Sequence, residues 1–77
     1  MLPDQCRAAR ALLSWTIDHL ASEAGVNRAT IIKFETGQSK PHRATLHVLR
    51  TTLETGGVEF IENGRGPGVR RLVKKPD

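Results

Sequence analysis

Apolar residues recur at helical spacing in four stretches of the chain and then alternate in two short ones. Cys6, Ala9 and Leu13 form one stripe, and Pro3 and Asp4 ahead of them suit a first turn, which predicts a helix to about Leu13. Leu20, Ala21 and Ala24 mark a second helix, with the Thr16 hydroxyl as its cap. Gly25 ends it, since glycine takes the left-handed conformation without a Cβ penalty, and Val26 supplies an apolar contact in the turn. A third helix, Asn27 to Thr36, is capped by Asn27 and stopped by Gly37. Its spacing turns Ile31 and Phe34 inward and Arg28, Ala29, Ile32 and Lys33 outward. Pro41 opens a fourth, roughly His42 to Thr55, in which Thr45, Leu46, Leu49 and Leu53 share a face and Gly56-Gly57 ends the helix. Beyond the glycines, 58–62 and 69–73 alternate as short strands around the turn-rich segment 63–68, which predicts a hairpin or edge ribbon.

The chain thus divides into a helical part, residues 1–57, and a C-terminal β segment, residues 58–77. The fold class expected is mainly α, a bundle of about four helices with a short C-terminal β hairpin or ribbon. Two helices joined by about four residues, the second opening on short polar and basic side chains, match the helix-turn-helix pattern of duplex DNA readers.

Charge and composition point the same way. A net charge of +4 and a pI near 10.0 favour a polyanionic partner, nucleic acid first. Seventy-seven residues form one small domain with a modest core, so a partner chain would add stability. Cys6 is the single cysteine, which excludes an intrachain disulfide and a thiolate zinc site, and its spacing from Ala9 reads as a small buried hydrophobe. His19, His42 and His47 lack metal-ligand spacing, no cofactor motif occurs, and no catalytic grouping or phosphate loop is present. The expectation is a non-enzymatic protein without metal or cofactor. No stretch is apolar enough to span a membrane and Met1 to Asp4 lacks the features of a secretory signal, so a cytoplasmic location is expected. Arg70, Arg71, Lys74 and Lys75 either track a DNA backbone or keep a strand edge soluble.

From Arg7 to about Leu53 the chain resembles the phage-repressor and Cro-like (XRE-type) helix-turn-helix regulators. The resemblance rests on Arg10, on Thr16-Ile17-Asp18-His19-Leu20-Ala21, on Gly25-Val26-Asn27-Arg28-Ala29-Thr30-Ile31 and on Phe34-Glu35-Thr36-Gly37-Gln38-Ser39-Lys40-Pro41. The ending 57–61 with 66–70 resembles the tail of a compact bacterial subgroup. The resemblance implies a lambda-repressor-like fold in which Arg28, Ala29, Thr30 and Lys33 read base edges. Arg28 is then the guanine reader, through a bidentate guanidinium contact, and Ala29 and Thr30 offer apolar or hydroxyl contacts. It further implies phosphate contacts at Thr16, the Ile17 amide, Asn27, Gln38, Ser39, Lys40 and Arg43, and a structural ion pair between Arg10 and Glu35. Many relatives carry glutamine after the threonine cap, where it binds a phosphate and braces the recognition helix. This chain has Ile17 there, so that brace is expected to be missing. Ile32, apolar and outward, is either a thymine-methyl contact or part of a dimer surface.

Two functions follow as expectations. The first is a sequence-specific transcriptional regulator, a repressor or autoregulator, binding an inverted-repeat operator on double-stranded DNA as a homodimer. Its dimer would be built by Val58, Phe60, Ile61, Val69 and Leu72, whose apolar faces need burial, with the fourth helix as the rival interface. The second is an antitoxin or anti-regulator that acts by sequestering a protein partner.

Overall fold

A computed structural model of the chain describes residues 1–63 and 65–72. Four helices, α1 (Pro3–Leu13), α2 (Ile17–Ala24), α3 (Arg28–Glu35) and α4 (Arg43–Gly56), precede an antiparallel hairpin of β1 (Val58–Asn63) and β2 (Gly66–Arg71). The architecture is mainly α. No described helix is long and apolar enough to cross a membrane.

Local chemistry sets most of the helix ends. The Thr16 side chain accepts from the His19 N–H at 2.9 Å, and Asn27 Oδ1 accepts from the Ala29 N–H at 2.8 Å, each satisfying a donor with no intrahelical partner. Gly25 sits at φ 66° and Gly37 at φ 77°, the left-handed region that releases the chain from a helix. At α1 that role falls to Ser14, at φ 58°. Helix α4 begins one residue later than expected, with His42 as its N-cap and Pro41 ahead of it, and runs through Gly56 to a cap at Gly57.

The core draws on every helix and on β1. Cys6 and Ala9 from α1, Leu20 from α2, Ile31 and Phe34 from α3, Leu49 and Leu53 from α4, and Val58 and Phe60 from β1 are all buried in one cluster. Each fully buried aliphatic side chain in such a cluster contributes ~1.5–3 kcal/mol relative to exposure. Trp15, Leu13 and Leu46 close its margin. The Trp15 ring lies so near α4 that a Cβ at Gly56 would stand 2.7 Å from ring atoms Cη2 and Cζ2, so Gly56 is required for that approach rather than for ending the helix.

The hairpin differs from expectation in extent. β2 spans Gly66–Arg71, three residues earlier than the sequence pattern suggests, and Asn63 pairs with Gly66. The segment Gly66-Pro67-Gly68, read as turn, is strand. The Leu72 N–H donates to the Gly57 carbonyl at 2.8 Å, and alternation from that bond puts Pro67 where its nitrogen points away from β1, so the missing N–H costs no ladder bond. The expected strand end at Val73 and the cations Lys74 and Lys75 lie outside the described residues.

The hairpin also shares the helical core. Buried Gln5 of α1 donates from Nε2 to the Gly68 carbonyl at 2.9 Å and to the Ile61 carbonyl at 3.4 Å, while its Oε1 accepts from the Leu2 N–H at 2.8 Å. Arg71 Nη1 donates to the Leu12 carbonyl at 3.2 Å at the end of α1. Arg50 of α4 stacks over the Phe60 ring at 5.2 Å and pairs with Glu62 at 2.7 Å.

Candidate nucleic-acid interface

The inward side of α3 is anchored by a polar network as well as by Ile31 and Phe34. Glu35, at the last turn, is only 3% exposed, and its carboxylate meets the Arg10 guanidinium in two bonds, Nε to Oε2 at 2.7 Å and Nη2 to Oε1 at 2.6 Å. The ion pair inferred from the resemblance is therefore present, bidentate and largely buried. Arg10 Nη1 donates to the Trp15 carbonyl at 3.1 Å, and Arg7 donates to the Glu35 backbone carbonyl. The Cys6 thiol donates to Glu35 Oε2 at 3.2 Å. Burial first, and then this bond to a carboxylate, push the Cys6 pKa far up and keep the thiol protonated. The bonds that Arg10 donates to Glu35 hold it charged by raising its pKa further.

With that side fixed, the opposite side faces outward. Arg28, Ala29 and Lys33 are exposed, and Thr30 and Ile32 half-buried. Thr16, Asn27, Gln38, Ser39, Lys40 and Arg43 are exposed as well. Among the described residues, the side-chain nitrogens of Lys33, Lys40 and Arg43 make no ion pair or hydrogen bond.

These groups fall at two ends of α3. At its N-terminal end the start of α2 lies alongside, for Arg28 Nε donates to Asp18 Oδ1 at 2.6 Å. The first amides of α2 and α3, at Ile17 and Arg28, have no intrahelical carbonyl to meet and remain open to an anion. Thr16 Oγ1 and Asn27 Oδ1 are already engaged as caps. At the C-terminal end the Gln38 and Ser39 N–H groups both donate to the Lys33 carbonyl, at 2.8 and 3.2 Å, so among the described residues their side chains and that of Lys40 are left without a partner there. Ile17 packs its half-buried side chain against the core.

The five residues assigned to dimerisation divide. Val58 is 1% and Phe60 8% exposed within the single chain, and Val69, opposite Phe60, packs against the same core. The apolar surface that called for a second subunit is covered by α1 and α4 of the same chain instead. Ile61 stays half-buried on the other face, and Leu72 is 48% exposed.

Sequence reasoning missed Gln5, Asp18 and Arg50. A glutamine inside an otherwise apolar helix stripe was the one visible signal, since a buried amide demands partners. Among the described residues no three His, Cys, Asp or Glu side chains gather at a spacing that could hold a metal ion. No family model matches the chain, and no curated protein matches it.

Proposed function

We propose that the protein is a sequence-specific reader of duplex DNA, built as a helix-turn-helix with α3 as the recognition helix, and that it regulates transcription as a homodimer on an inverted repeat. The observation that carries this reading is the two-sidedness of α3. Ile31, Phe34 and Glu35 lock one side into the core, while Arg28, Ala29 and Lys33 stand exposed on the other. With its side chains an α-helix is about 10–12 Å across, a width that the ~12 Å major groove admits. Open amides lie near one end, and the free Lys40 and Arg43 follow the other, a disposition suited to phosphates on both strands. The net charge of +4 supplies general attraction.

Selection of bound sites from random duplex DNA tests the reading. The expected outcome is an enriched sequence with two inverted half-sites about one helical turn apart, roughly 34 Å. Enrichment of no duplex would refute it.

A further inference from the structure

We infer that Asp18 is a positioning residue for Arg28 and makes it selective for guanine, an inference that rests on the DNA reading above. The pair joins two exposed side chains, 73% and 62% accessible, on neighbouring helix starts. An ion pair so open to water contributes little to stability, so the fold has little need of it. Its geometry has a consequence for recognition. Among the described residues, Nε is the one nitrogen of the Arg28 guanidinium in a hydrogen bond, and Nη1 and Nη2 are free. Those two donors form the edge that matches guanine O6 and N7. A tether at Nε therefore fixes the plane of the group while leaving its reading edge open, and it restrains a long side chain that would otherwise sample many rotamers.

Charge adds a second effect. Asp18 lies in the first turn of α2, beside amides that suit phosphate, and its carboxylate repels a DNA backbone. That repulsion falls on every duplex alike and lowers non-specific affinity, and at the right site the guanine contact offsets it. Asp18 also supplies, from the residue after Ile17, the link between α2 and α3 that Ile17 does not.

The test uses the full chain, the selected duplex, its three substitutions at each guanine, and a scrambled duplex, with binding followed by fluorescence anisotropy at one fixed salt concentration. Asp18→Ala is expected to lower discrimination at one guanine by up to about fivefold, the most that an exposed ion pair contributes, and to tighten binding to the scrambled duplex. Asp18→Asn keeps an acceptor for Nε but loses the charge, so it should tighten scrambled binding equally while retaining more of the preference. In an Arg28→Ala background, Asp18→Ala should change preference nowhere. Thermal melting of each variant confirms an intact fold. A selective wild type whose preferences survive Asp18→Ala, or an Asp18→Ala effect undiminished without Arg28, overturns the proposal alone. A wild type that prefers no duplex overturns the DNA reading together with it.

Discussion

Replacing Arg10 by alanine should remove a large share of the stability of this protein. The Glu35 side chain is 4% exposed and that of Arg10 18%, and the carboxylate takes two bonds from the guanidinium at 2.6 and 2.7 Å. Without Arg10, the Glu35 carboxylate keeps the bond from the Cys6 thiol alone, a weak donor at 3.2 Å. Breaking such a buried pair from one side costs ~3–5 kcal/mol, against ~0–1 kcal/mol for a surface pair. A chain of 77 residues has roughly 4–12 kcal/mol in total, so the loss is a third or more in most of that range. Urea unfolding gives the difference directly, and the melting temperature should fall by at least ~12 °C for a domain of this size. Arg10→Met combined with Glu35→Leu should recover most of the loss, because neither charge is then stranded. A loss below ~1 kcal/mol for Arg10→Ala, or a double variant as unstable as the single one, would refute the buried-pair account.

Four further outcomes are expected. Cys6, buried and donating to Glu35, should resist alkylation at pH 8 in the native state and react at the rate of unfolding; rapid labelling of the folded protein would contradict its raised pKa. Gly56→Ala should destabilise by ~1–3 kcal/mol although alanine is the better helix former, because the new Cβ collides with Trp15. Trp15 is the only tryptophan, so its fluorescence reports the shift, and a stabilised variant would show that the ring yields freely. Lys40→Ala should weaken all duplexes alike and reduce the salt slope by about one, measured over a salt series; a change confined to one base pair would make it a reader. If the hairpin surface builds the homodimer, Leu72→Asp should lower the mass seen by light scattering while Val48→Asp, on the rival α4, leaves it unchanged; the reverse result assigns dimerisation to α4.

What the sequence determined by itself is the set of helices and the inward side of each. Thr16, Asn27, Gly25 and Gly37 act on groups within about five residues, a range over which the chain's neighbours are known before it folds. Ile31 and Phe34 turn inward for the same reason, since helical period fixes their direction. The Arg10–Glu35 pair, 25 residues apart, was legible through resemblance and not through spacing. Only tertiary structure decided the rest. Gly66-Pro67-Gly68 is strand because β1 offers a ladder in which Pro67 omits no bond, and Gln5 reaches Gly68 across 63 residues of chain. Val58 and Phe60 are core because α1 and α4 lie over the hairpin, a fact no local pattern contains. Trp15 over Gly56 and Asp18 beside Arg28 follow from helix placement in the same way. Caps and periodicity are short-range preferences, whereas a buried amide or a free surface is defined by what the whole chain brings against it.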